Sequence, residues 1–326
     1  MKAFLYASVL AVLAGSSAFS LDRTLLALAP ADAKMVAGIY ADRTRNTPFG
    51  QFVLGQMKEE DPNFKSFIGA TGFDPRRDLT EILIVSNTTG PRSNRGLVLA
   101  RGVFNGPQIV AAGKANGGSS VLYKGLELLT KPGTDERAVA VIDGSIAIAG
   151  DLASVKAAID QRTAPANLDG RLLAKIDQAS GQYDAWFAAL GFAAPLGSAL
   201  PMPNILGGVR NNTLQAIEQT SGGVKFGNIV QFSGEAVARS EKDAQALADV
   251  TRFLTGLVGM NKDQHPEMAR LAALAQSLEV QATGNTVRLG LSLPQTDLEQ
   301  LFRPKETRQL RRSARSTAGA NAPAAR

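Results

Sequence analysis

The sequence predicts an α+β protein made of two similar units of mostly antiparallel sheet, with helices packed on one face. Three observations predict it. Short β-type runs recur along the chain and are joined by turns rather than by long helical crossovers. Residues 138–160, AVAVIDGSIAIAGDLASVKAAID, read as two strands around Asp143-Gly144 followed by a helix. Residues 278–302 repeat that order, with a hairpin around Thr283-Gly284-Asn285 and a helix from Thr296.

The first twenty residues stand apart from this scheme. Lys2 gives a positive start, Ala3 to Ala14 carries no charge, and Ala18-Phe19-Ser20 offers small side chains at the two positions a signal peptidase reads. That is the layout of a secretory signal peptide. The apolar run is shorter than the roughly 20 residues of a membrane-spanning helix, so no transmembrane segment is expected in the mature chain. Cleavage near Ser20 leaves a chain starting near Leu21, exported to the periplasm or beyond. No cysteine occurs at any position. Disulfides, thiol catalysis, thiolate zinc sites and lipid-modified cysteine are therefore excluded, and stability has to come from packing.

Residues 21–162 form the first unit. LLALAPADA reads as a short helix leading into a strand at Lys34 to Ala41. Thr47 caps a helix with Pro48 in its first turn, where a missing N–H costs nothing. A second helix follows Asp61-Pro62, and GFDPRRDL breaks the pattern before strands at Glu81 to Ser86 and Gly96 to Phe104. Asn105 caps a helix that Gly117-Gly118 ends. One strand, interrupted at Gly125, is expected over Ser120 to Leu129, and Asp151 caps the helix that closes the unit.

Residues 163–167 (TAPAN) read as a linker, and residues 168–302 as the second unit. It opens with a helix at Leu172 to Gln178 and a strand at Asp184 to Leu190 holding the single tryptophan, Trp186. Residues 191–210 are apolar, rich in Gly and Pro, and uncharged before Arg210. A strand at Asn228 to Ala238 follows. Ser240 and Asp243 have capping-box spacing ahead of a long helix to Met260, and Pro266 begins another.

The net charge of +6 belongs to the ends of the chain. Residues 21–302 carry 27 basic and 28 acidic side chains, whereas residues 303–326 hold seven basic and one acidic. This tail, with Arg308, Arg311, Arg312 and Arg315, is too poor in apolar residues to fold alone. It is a candidate electrostatic contact for an anionic surface or envelope protein, and nucleic acid is the less favoured partner for an exported chain.

The whole combination resembles exported bacterial proteins of uncharacterised families, some with duplicated α+β domains. The resemblance rests on LAPADAKMVAGIY, GFDPRRDL, LARGVF, YKG and AVAVIDGSIAIAGDLASVKAAI. It implies an exported soluble protein with no catalytic residues to carry over.

The chain contains no catalytic motif. Gly113-Lys114 lacks the upstream glycine and the following hydroxyl of a phosphate-binding loop, and no G-x-G-x-x-G or G-x-S-x-G occurs. Gly117-Gly118 and Gly222-Gly223 read as turn glycines. His265 is the only histidine, so no multi-histidine metal site can form. Glu59-Glu60-Asp61 and Asp135-Glu136 are acidic runs within polar turns. The densest charged turn is Asp74, Arg76, Arg77 and Asp78, a candidate contact loop whose structural reading is a self-paired surface turn. No cofactor or metal is expected. The function this implies is that of a non-enzymatic binding or scaffolding protein of the cell envelope. The alternatives are a carrier of an apolar ligand or lipid, and a hydrolase using Asp and Glu alone.

Overall fold

The computed structural model describes residues 21–57, 61–89, 96–131, 133, 137–193, 214–260 and 272–302. The basic tail, His265, the first part of the helix expected from Pro266, both acidic runs apart from Asp61, and residues 194–210 lie outside them. Residues 272–276 are helical.

The class is α+β, as the hairpin-rich sequence predicts. Among the described residues, twelve strands form one continuous antiparallel sheet: β1 (Met35–Tyr40), β2 (Leu79–Ser86), β3 (Gly96–Gly102), β4 (Ser119–Tyr123), β5 (Leu126–Lys131), β6 (Arg137–Ile142), β7 (Ile146–Asp151), β8 (Ala185–Leu190), β9 (Ile217–Lys225), β10 (Ile229–Ala238), β11 (Glu279–Thr283) and β12 (Thr286–Pro294). Their spatial order is β11-β12-β10-β9-β8-β1-β2-β3-β7-β6-β5-β4. The first seven strands of the sequence thus occupy one side, the last five the other, and β1 pairs with β8 at the seam.

The local signals in the sequence place the helices. Asp22 accepts from the Thr24 amide at the start of α1 (Arg23–Leu26), and α2 (Ala41–Arg45) continues directly from β1. Thr47 accepts from the Gly50 amide at the start of α3 (Pro48–Gln56), and Asp61 from Asn63 at the start of α4 (Pro62–Thr71). After the short α5 (Pro75–Asp78), Asn105 accepts from Gln108 and opens α6 (Gly106–Ala115). Asp151 accepts from the Ser154 amide at 2.9 Å and opens α7 (Leu152–Gln161). The helix α8 (Gly170–Gln182) is capped by Asp169. Ser240 accepts from the Asp243 amide at 3.1 Å at the start of α9 (Glu241–Met260), and α10 (Gln295–Phe302) follows β12. Asp143 and Gly144 both have positive φ, 47° and 75°, as the tight turn between β6 and β7 requires.

On one face of the sheet lie α7 and α8, together with α1. Their apolar residues Leu25, Leu26, Val155, Ile159, Leu172 and Ile176 bury Leu83, Leu99, Ile148 and Trp186 in the largest core cluster. On the opposite face, α9 packs Ala244, Leu247 and Ala248 on Ala238 and Val287. There too, Leu298 of α10 and Phe49 of α3 meet Val224, Val230 and Leu293. At the far end of this second face α6 covers β5 and β6: β carbons on Gly106 and Gly113 would meet Val141 and Leu129.

Three expectations are corrected by this arrangement. Helices cover both faces rather than one: α9 and α10 pack over Val224, Val230, Val287 and Leu293, on the face opposite α7 and α8. Ser120 to Leu129 is a hairpin, β4 and β5, reversed at Lys124 and Gly125, whose φ values are 47° and 79°. Gly222 and Gly223 lie inside β9, not in a turn. A β carbon on Gly222 would fall 2.3 Å from the Ser233 carbonyl oxygen, and one on Gly223 2.4 Å from the Tyr183 ring. Close approach, not turn geometry, accounts for both glycines.

Candidate binding face

The charged turn singled out in the sequence folds as α5, with Asp74 as its cap. Each arginine is held by a neighbouring carboxylate. Arg76 donates through Nη2 to Asp74 Oδ2 at 2.8 Å, and Arg77 through Nε to Asp78 Oδ1 at 2.7 Å. The Asp74 amide in turn donates to Asp78 Oδ2 at 2.8 Å. Hydrogen bonds from Arg76 hold the Asp74 carboxyl below its ordinary range, and those from Arg77 do the same for Asp78.

The turn is neutral overall and lines a pocket of about 460 Å³ with Arg77, Asp78, Phe104, Asn105 and Val141. Asp74 and Asp78 are buried, while the Arg77 side chain stays 74% exposed at the pocket rim.

A larger feature lies beside it, on the second face of the sheet. Among the described residues, the helices there pack on the two ends, β9 to β12 and β5 to β6, and the five strands between them carry exposed apolar side chains. The register builds this floor from two cross-strand rows. One runs Ala149, Val98, Ile84, Ala37, Phe187, and the other Ala147, Ala100, Ile82, Ile39, Ala185. All ten are apolar and uncharged. Ile84, Val98 and Ile39 are 45%, 42% and 41% exposed, although each sits mid-sheet rather than at an edge.

Their alternation partners explain why the floor exists. Val36, Leu83, Val85, Leu97, Leu99 and Ile148 point to the other face and are buried there. The central strands are therefore apolar on both sides, with one side packed and the other open. Four gaps of about 4.8 Å make the floor roughly 19 Å across. Contiguous exposed apolar surface of this kind marks a contact site. The signal is present in the sequence, since EILIVS and GLVLA are apolar at both parities.

Among the described residues, no group of three or more His, Asp or Glu is placed to hold a metal ion. No described helix is long and apolar enough to cross a membrane. Asn87, Thr88 and Thr89 sit just after β2. The tail arginines Arg308, Arg311, Arg312 and Arg315 and His265 fall outside the described residues.

No family model matches the chain, and no curated protein matches it. Two solved structures of TP0453, a Treponema protein, are similar to it. Crystal form III shares 8% identity at a TM-score of 0.49, covering 86% of this chain and 98% of that one. Crystal form I shares 9% identity at a TM-score of 0.49, covering 87% and 97%.

Proposed function

We propose that this chain is an exported, non-enzymatic binding protein of the cell envelope, and that its open sheet floor receives an apolar ligand such as a lipid acyl chain. One observation carries the reading: ten uncharged apolar side chains in two unbroken rows lie in the middle of the sheet, with Ile39, Ile84 and Val98 exposed and the other seven half-buried. Protein–protein contact surfaces of the non-obligate kind mix polar with apolar area and favour aromatic and arginine anchors. This floor has five alanines, one aromatic residue and no charge, which suits an acyl chain better. Export is supported by the signal-peptide layout of residues 1–20. The neutral body and basic tail fit a protein that meets an anionic surface through residues 303–326.

We also infer a two-unit origin, with the floor crossing the seam at β8 and β1 and lying mainly on the first half. Strand order β1-β2-β3-β7-β6 in the first half is matched by β8-β9-β10-β12-β11 in the second. Each half sends a helix out after its third strand, and each ends in a hairpin and a helix. The β4–β5 hairpin is then an addition to the first copy.

The test is equilibrium binding of a fluorescent fatty acid to the purified chain and to its Ile84→Glu and Val98→Lys variants. The expected result is saturable binding that falls at least tenfold in either variant while the thermal transition is retained. Binding that is absent, or unchanged in both variants, contradicts the reading.

A further inference from the structure

We propose that Glu81 is the acceptor site for the free amino group that cleavage after Ser20 creates on Leu21, so that leader removal completes an ion pair inside the fold. The inference rests on the export reading above. Glu81, on β2, is only 6% exposed, and its Oε1 finds no hydrogen-bond partner among the described residues. The backbone N–H of Asp22 is directed at the same carboxyl group. Leu21, the preceding residue, is 4% exposed, with its side chain in the main core cluster. Its nitrogen lies one residue before the Asp22 amide, and consecutive α carbons are only about 3.8 Å apart.

The neighbours leave Glu81 short of positive charge. Arg101 is its cross-strand partner on β3, but that guanidinium is committed elsewhere. It donates through Nε to Asp22 Oδ2 at 2.6 Å and through Nη1 to Ser145 Oγ at 2.8 Å. Tyr40, the partner on β1, and the carboxylates of Asp22 and Asp42 also act on Glu81. Burial above all, with the charges of Asp22 and Asp42, raises the Glu81 carboxyl from 4.5 to about 7 despite the Asp22 amide and Arg101. A buried carboxylate without a counter-charge is costly, and supplying one restores its ionised form.

While the leader is attached, the nitrogen of Leu21 is a neutral amide with one hydrogen. Hydrolysis of the Ser20–Leu21 bond consumes one water and gives a Ser20 carboxylate and a Leu21 amine. Protonated, that amine is an ammonium with three donors. An α-amino group ordinarily titrates near 7.7–8.0, so the new charge is available at neutral pH. The leader-bearing and processed chains then differ in the ionisation of one buried group.

Competitive acetylation across pH, read by mass spectrometry of the N-terminal peptide, tests this. Three chains are compared: one beginning at Leu21, one retaining Ala18-Phe19-Ser20, and Glu81→Gln in the chain beginning at Leu21. The expected α-amino pKa of the first is about one unit above that of the second, a tenfold tighter hold on the proton. Glu81→Gln removes the difference. Equal values in the first two chains overturn the proposal, and that comparison stands even if Glu81→Gln fails to fold. The intact mass of the secreted protein separates the two ideas: a start at any residue other than Leu21 overturns the processing step, whatever the titration gives.

Discussion

Gly38 on β1 and Trp186 on β8 are cross-strand partners, and a β carbon on Gly38 would lie 2.5 Å from Cε2 and Cζ2 of the indole. The indole of the chain's one tryptophan therefore lies directly over the Gly38 backbone at the seam between the two halves. Trp186 is 3% exposed and belongs to the main core cluster. Gly38→Ala is expected to cost about 1–3 kcal/mol, the usual range for overpacking a filled core. Denaturant unfolding followed by the Trp186 emission measures it, and an unchanged midpoint would show that the indole moves aside freely.

The charged turn predicts an acid dependence. Asp74 and Asp78 are held below the ordinary carboxylate value of 3.8 by Arg76 and Arg77 respectively. Their folded-state values lie below the unfolded ones, so their contribution is present above about pH 4 and lost as pH falls through the lowered values. Asp74→Ala also removes the α5 cap and is expected to cost about 1 kcal/mol at neutral pH. The gap between that variant and the parent in thermal melts should narrow as pH falls through the lowered Asp74 value. A gap that stays constant over the whole range would contradict the assignment.

Within the second half, Lys175 of α8 is paired with Glu235 of β10, and Arg288 of β12 donates to the same carboxylate at 3.2 Å. Glu235 is largely buried, yet Lys175 and Arg288 hold its carboxyl below its ordinary value. Lys175→Met leaves that carboxylate with Arg288 alone. The loss is expected to be about 2 kcal/mol, smaller than for a fully buried pair because both side chains keep some solvent. The double variant Lys175→Met with Glu235→Leu should recover most of it. A double-mutant cycle read by urea unfolding decides, and additive losses would show that the pair contributes no coupling.

The sequence made some of this legible and hid the rest, for physical reasons. Thr47, Asn105 and Asp151 each accept an amide from three residues ahead, so their caps depend on local chemistry alone. The hairpin at Asp143-Gly144 is local in the same sense. Gly222 and Gly223 mislead because adjacent glycines signal a turn, whereas here the requirement comes from Tyr183 and Ser233. The open floor is a third kind of case. Its apolar residues are visible in the strands, but which face stays bare depends on where α6 and α9 come to rest. Glu81 is hidden for a related reason, since its surroundings are assembled from Asp22, Tyr40, Asp42 and Arg101, residues spread over three separate stretches of the chain.

Occupancy of the open floor of β8, β1, β2, β3 and β7 by an apolar ligand is tested most directly by native mass spectrometry. The chain is isolated from the envelope of an expressing cell, with Ile84→Glu prepared alongside. The expected result is a bound apolar species, released on denaturation and missing from the variant. A parent chain that carries no added mass, or a variant that carries the same species, would contradict it.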